Sequence, residues 1–569
     1  MILESLRNLA LREGLLENPD YEPKPVAWII VLGEAGNFIN LIPTVSAGEG
    51  KKPKAKTFSI PRRLGRTSSP VADFLVDKSE YVLGIEPDGK RSEEDLALRL
   101  NKFRKPIQDA FQATGEKALT AIDAFLSSDE ERQKVIERVN AEGYKSNDLF
   151  AFEYQGTLVH ELPEIRQYFS LMRRAAIKEG AQCLICGMVA PPVDKHPTVR
   201  IPGGTTSGIA MVSFNSDAFE SYGWLRNQNA PVCRNCADAY TTALNRLFSM
   251  NYPDPEHPGQ TLPRRFVRLS SDTTAVYWGD SNPKLLDLFS SYFDTPKVET
   301  VGALFESVHK GRESGGDKSP FYCLILSGGQ GRAIVRSSHI GTVDQVELNI
   351  SEYFSSVDIG TEAPLPLMFL LRNLVLHGKL ENLAPGLVTD IFMAIVFGGN
   401  FPRTLLTSAV GRCRAERKVT RERAAFLRAY LKRNQKLEVS VGLDKENLNT
   451  GYRLGRLMAV LERLQTTAIR GVSKTIVDRY YGSASTRPAT VFPRLIAMAQ
   501  HHVAKLKIGL QYYYKGELAQ VMDGLASFPQ ILSLEDQGLF ALGYYHQRYN
   551  KAEESSETVS DAPEAEEAA

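Results

Sequence analysis

Two short cysteine motifs constrain this chain more tightly than any other feature. They are Cys183-Leu-Ile-Cys186, followed by Gly187, and Cys233-Arg-Asn-Cys236. Each C-x-x-C spacing sets two thiols on one tight turn, and two such turns brought together offer the four sulfurs of a tetrahedral Zn²⁺ site. A fold that holds the ion has to bring both turns to one point. The gap between the pairs exceeds that of a compact zinc ribbon, so residues of about 181–240 are expected as a zinc-ribbon-like insertion with a structural Zn²⁺. The competing reading is four buried thiols; a redox dithiol fits two pairs less well. The remaining cysteines, Cys323 and Cys413, are expected as a buried strand residue and a helix residue. This usage points to a reducing compartment rather than a disulfide framework.

Asp194 and His196 lie between the pairs, in Val193-Asp-Lys-His-Pro197. They raise a second chemistry, an HNH-like nuclease in which a histidine activates water beside a metal-bound phosphate. The match is partial, because the sequence after Cys236 reads as an amphipathic helix with no closing Asn and His. His196 is expected as an ordinary loop residue.

Residues 326–330 read LSGGQ, the signature of ABC-type ATPases. The accompanying P-loop is missing. Its nearest approximation, Gly84-Ile-Glu-Pro-Asp-Gly-Lys-Arg91, has Arg91 in place of the Ser or Thr, acids where an anion should sit, and a proline that removes an amide donor. The flanks, FYCLIL and AIVRSS, are short apolar runs rich in strand formers, and a β-hairpin is predicted across them.

The 569 residues leave room for roughly two to four domains, and 43% apolar content suffices for real cores. No apolar run reaches the roughly eighteen residues of a membrane span. The N-terminus mixes charges at helical spacing and reads as an amphipathic helix, not a secretion signal. NPDYEPKPV reads as a proline-rich turn; VAWIIVL and FINLIPT as strands about a turn; residues 92–146 as helices; and nearly everything past 360 as helical. The expected class is α+β: a mixed body over 1–360 with the cysteine insertion, a basic helical region over 361–448, a helical bundle over 449–550, and a disordered acidic tail over 551–569.

Charge divides unevenly. The tail from Lys551 holds one basic and seven acidic residues, so the net +1 splits into −6 on the tail and +7 on the remainder. Two segments concentrate the positive charge. The stretch KKPKAKTFSIPRRLGRTSSP, read as a loop, sets Arg62, Arg63 and Arg66 beside Thr67 and Ser68, residue types used for phosphate and base-edge contacts. Residues 403–436 carry eleven basic and two acidic side chains, among them Arg412, Arg414, Arg417, Arg421 and Arg428, more one-sided than a solvated helix face.

Several stretches, in order, resemble one family: DYEPKPVAWII, RRLGRTSS, FLVDKSEYVLG, MVSFNSDAFESYG with NAPV, AYTTALNRL, FYCLILSGGQGRAIVR, YRLGRLMAVLERLQ, YYGSAS and PATVFPRL. The chain is similar to the Csd-type large subunit of the type I-C CRISPR surveillance complex, Cascade. The resemblance implies a non-catalytic, cytoplasmic prokaryotic DNA-binding subunit. Its partners would be the crRNA-bearing backbone subunits, target double-stranded DNA, the displaced single strand and a recruited helicase-nuclease. It would recognise the protospacer-adjacent motif (PAM), help open the duplex and stabilise the R-loop. Arg62, Arg63, Arg66, Thr67 and Ser68, with Asn215 and Asn229, then become candidates for the PAM duplex. Arg453, Arg456, Arg463 and Arg470 become candidates for the displaced or target strand. The resemblance also implies a small subunit from an internal start in the same gene. Met458 is the only methionine between Met393 and Met498 and would cut the first bundle helix, so a start near Val441 or Leu448 is expected, giving roughly 100–130 residues.

Overall fold

The structure is a computed structural model describing residues 2–16, 20–45, 55–62, 70–87, 89–175, 180–205, 208–214, 216–255, 257, 259–281, 283–328, 333–360, 363–384 and 386–549. The acidic tail, Arg63, Arg66, Thr67, Ser68 and Asn215 fall outside them. The chain divides into two compact units, Leu3–Pro197 with Val212–Ala243, and Thr198–Met211 with Leu244 onward. The class is α+β as expected. The division falls near residue 244, inside the body expected over 1–360, with the Thr198–Met211 segment between the cysteine pairs in the second unit.

The first unit is built on a small mixed sheet. Trp28–Leu32 pairs antiparallel with Phe38–Pro43 on one side and parallel with Leu149–Tyr154 on the other, the predicted hairpin forming its edge. The parallel pairing needs a crossover. It is supplied by the helices Glu93–Thr114, Lys117–Ser127 and Asp129–Glu142, the first and third started by Ser92 and Ser128 accepting from the amides of Asp95 and Glu131. Ile30, Phe152, Phe103, Ile107, Ile122 and Phe125 form the core between sheet and helices. NPDYEPKPV is not a turn throughout: Tyr21–Pro25 is a strand pairing with Thr57–Pro61, which lies inside the segment read as a basic loop. Prolines are tolerated because this two-stranded ribbon has edges on both sides.

The second unit carries a four-stranded antiparallel sheet, Phe266–Arg268, Thr273–Gly279, Pro320–Gly328 and Ala333–Thr342. The last two strands are the predicted FYCLIL/AIVRSS hairpin, and Cys323 is buried in it as expected. The helices of the C-terminal half then follow. One continuous core runs from Val267 and Tyr277 through Phe392, Leu406 and Leu427 to Leu457 and Phe540, within the helices over 449–550. The Thr450–Ala468 helix is buried along most of its length, because it lies in the middle of this core rather than at its edge. Among the described residues no helix is long and apolar enough to cross a membrane.

Candidate metal centre and nucleic-acid surface

The first cysteine pair sits on a hairpin knuckle. Strands Ala181–Gln182 and Val189–Ala190 pair antiparallel, and the Cys183 amide donates to Met188 O (2.9 Å) to close the turn. Gly187 takes φ +74°, where a side chain is disfavoured. The second pair opens the Arg234–Leu247 helix, with Cys233 just before it and Cys236 in its first turn. All four sulfurs lie within 4.8 Å of one another. The Cys186 and Cys233 sulfurs are 3.8 Å apart, the separation of two ligands about 2.3 Å from a tetrahedral ion. The amides of Ile185 and Cys233 point at the Cys183 sulfur (3.4 and 3.3 Å). A hydrogen bond from Cys236 pulls the Cys233 thiol down to about 5, and the same bond pushes Cys236 up. The donor set is that of a tetrahedral metal site, with no ion-specific oxygen or nitrogen in it.

Polar side chains of the segment between the cysteine pairs have partners within it and on the following helix. His196, expected as a loop residue, is buried with its Nδ1 2.7 Å from the Tyr240 hydroxyl. Burial, aided by Arg234, lowers it to about 4. Asp194 is paired with Arg226 at 3.1 Å. Among the described residues no second group of three or more His, Cys, Asp or Glu donors accompanies the cysteines.

The described arginines expected to meet DNA differ in how far other protein groups hold them. Arg62 is held to Asp238 at 2.6 Å and donates to Tyr21 O, so it staples the Thr57–Pro61 strand to the Arg234–Leu247 helix. Asn229 accepts from the Ser221 amide and donates to the carbonyls of Trp224 and Arg226, which fixes its own loop. Arg428, Arg453 and Arg456, candidates for nucleic-acid contact, are buried. Arg428 donates to the carbonyls of Val439, Ser355 and Ser356, Arg453 to Asn447 O, and Arg456, fully buried, to Gln547, Lys445 O and Gln520. Their guanidinium groups bond carbonyl oxygens inside the helical core. Arg412 pairs with Glu416, Arg421 donates to Ala363 O (3.0 Å), and Arg463 donates to Gln547 O (2.7 Å). Arg414, Arg417 and Arg470 are exposed.

A different junction was not singled out from the sequence. The Ile201-Pro-Gly-Gly204 loop is pinned on one end of the four-stranded sheet. Thr274 Oγ1 donates to Pro202 O (3.2 Å). A Cβ on Gly203 would stand 2.1 Å from Ser271 O, and one on Gly328 2.9 Å from the Gly204 Cα. The start of LSGGQ and the glycines of IPGGTTSG therefore touch backbone to backbone. Exposed Arg268 and Arg336 flank the contact, donating to Ser271 O and Ser327 Oγ. The glycine-rich run was the available signal.

A family model described as CRISPR-associated protein (Cas_Csd1) matches residues 4–551. No curated protein matches the chain. A match over nearly the whole length agrees with the ordered motifs, the α+β architecture and the hairpin at LSGGQ, and on it the chain belongs to the Csd1 family of CRISPR-associated proteins.

Proposed function

We propose that this chain is the non-catalytic large subunit of a type I-C RNA-guided surveillance complex in antiviral defence. In this reading it docks on crRNA-bearing backbone subunits, recognises the PAM in duplex DNA, aids duplex opening and steadies the R-loop before a helicase-nuclease is recruited. Guide pairing carries most of the sequence information, and the exchange of DNA duplex for heteroduplex is nearly balanced, so modest protein contacts decide it. The observation that carries the reading is the glycine junction at Gly204 and Gly328 with Arg268 and Arg336 beside it. The glycines let the Ile201–Gly204 loop close onto the sheet end, and the two exposed guanidinium groups flanking that contact supply charge for a nucleic-acid backbone. The four cysteines hold a structural Zn²⁺ that fixes the knuckle against the Arg234–Leu247 helix. A zinc-dependent HNH-like nuclease is the weaker reading, because its candidate base, His196, is buried against Tyr240.

The test is a guide-loaded complex assembled with and without this chain, titrated with target duplexes that carry or lack the PAM. Omission should abolish the preference for the PAM duplex. Arg268→Ala with Arg336→Ala should weaken duplex binding about tenfold, the loss of one or two good contacts. Equal PAM preference without the chain, or metal-dependent DNA cleavage by the chain alone, overturns the reading.

A further inference from the structure

Two adjoining cavities lie in the second unit among the helices Val298–Ser314, Val343–Val357 and Arg421–Asn434. One, about 290 Å³, is a mainly apolar cavity lined by Val298, Val301, Phe305, Phe354, Val357 and Leu365, with Asp358 also in its wall. The other, about 490 Å³, is cationic: Arg312, Lys432, Arg433 and Lys436 share it with one carboxylate, Glu352. Phe305 and Ser355 line both, so the two are chambers of one cleft. Phe305 is 43% exposed although it lies beside a hydrophobic core.

The cleft is held in shape from behind. Arg428 donates to the carbonyls of Ser355 and Ser356 (2.7 and 2.9 Å), fixing the end of the Val343–Val357 helix that forms its floor. Arg433 is half-buried, donating to Ala394 O (2.6 Å) over the Phe401 ring. Lys432 reaches Ser355 Oγ at 3.4 Å. Arg312 and Lys436 lie exposed at the mouth.

An apolar cavity with aromatic lining that adjoins a cationic one matches a ligand with a planar ring at one end and a phosphate at the other. We propose that this cleft takes one nucleotide of a single strand of nucleic acid, the base against Phe305 and its phosphates between Arg312, Lys432 and Lys436. Stacking tolerates any base because every base has a π face, whereas a duplex keeps its bases stacked inside and has none to insert. The site thus deepens the proposed function by giving the chain a place that registers strand opening, and it rests on that reading only for which strand enters.

The experiment uses the full chain and a labelled short oligothymidylate, with an abasic oligonucleotide of equal length and a PAM-bearing duplex alongside. Phe305→Ala should weaken oligothymidylate binding about tenfold, the usual loss for one stacked base. Phe305→Trp should restore it, which a purely structural role for Phe305 would not do. Arg312→Gln with Lys436→Gln should flatten the salt dependence by about 0.7 for each phosphate lost. Duplex binding should be unchanged in all three variants. Unaltered oligothymidylate binding in Phe305→Ala, equal binding of the abasic strand, or an equal loss on the duplex overturns the proposal. A complex indifferent to the PAM that keeps the Phe305 effect overturns the proposed function and leaves the cleft standing.

Discussion

Gly455 and Gly543 lie at the crossing of the Thr450–Ala468 and Leu534–Arg548 helices, each beneath the other helix's backbone. A Cβ on Gly455 would stand 1.9 Å from Phe540 O, and one on Gly543 2.0 Å from Tyr452 O. No rotamer relieves a clash with a carbonyl, so the helices must part. Gly455→Ala or Gly543→Ala should each cost about 1–3 kcal/mol or more, read as a lower urea midpoint. An unchanged midpoint would mean that the crossing is not as close as described.

The cysteine site predicts metal-dependent stability. Purified protein should carry about one zinc per chain, because four thiolates satisfy one tetrahedral ion. Cys183→Ser with Cys233→Ser should lose the metal and lower the thermal midpoint, and a strong chelator should do the same to the native chain. Metal-free protein with an unaltered midpoint would remove the claim.

His160 gives a pH prediction with a definite sign. It is buried, neither ring nitrogen has a hydrogen-bond partner among the described residues, and burial followed by Arg166 lowers it from 6.5 to about 4. Between those values the unfolded chain binds a proton that the folded chain refuses. Stability is therefore full above pH 6.5 and falls as pH drops toward 4, by on the order of 3 kcal/mol for this one residue. His160→Gln should flatten that slope whatever it does to stability at pH 7.5. A slope identical to that of the native chain would show that His160 does not titrate in this window.

The arginines should divide by measurement as they do by position. Arg414→Ala and Arg417→Ala, both at exposed sites, should each reduce the salt slope of duplex binding by about one unit. Arg428→Ala and Arg456→Ala should leave that slope alone and instead destabilise the fold by about 1–3 kcal/mol, since buried carbonyls lose their donors. Salt slopes that fall equally in all four variants would refute the division.

What the sequence disclosed was mostly local. Strand period and turn residues placed both hairpins, and cysteine spacing identified four thiols that do converge. Tyr21–Pro25 was hidden because its prolines signal a turn, and only a partner more than thirty residues away makes the segment a strand. The buried arginines were hidden for a related reason. Arg456 looks like any helix-surface cation until Gln520 and Gln547, on two other helices, close over it. Positive charge along a sequence reports how many guanidinium groups there are, not which carbonyls claim them. The cleft at Phe305 was invisible because three separate helices build it.

The proposed internal start can be located from the hydrogen bonds that hold the Thr450–Ala468 helix. Asn449 caps it by accepting from the Tyr452 amide (3.1 Å). Arg453 donates to Asn447 O (2.7 Å), Arg456 to Lys445 O (3.1 Å), and the Asp444 amide to the Tyr452 hydroxyl (3.1 Å). A product beginning at Val441 keeps all four. One beginning at Leu448 keeps only the cap, and one beginning at Met458 loses Gly455 with half the helix. The Val441 product should therefore have the highest urea midpoint of the three, and the Met458 product should not fold. Each of them also lacks Leu406, Leu427 and Leu431, core residues whose side chains would stand 3.2–3.6 Å from a Cβ built on Gly538. That leaves an apolar strip uncovered, so the product should be recovered bound within the complex or self-associated rather than as a free monomer. Mass spectrometry of the native complex reads both its presence and its first residue. A complex containing only the full-length chain would mean that these helices act solely as part of the large subunit.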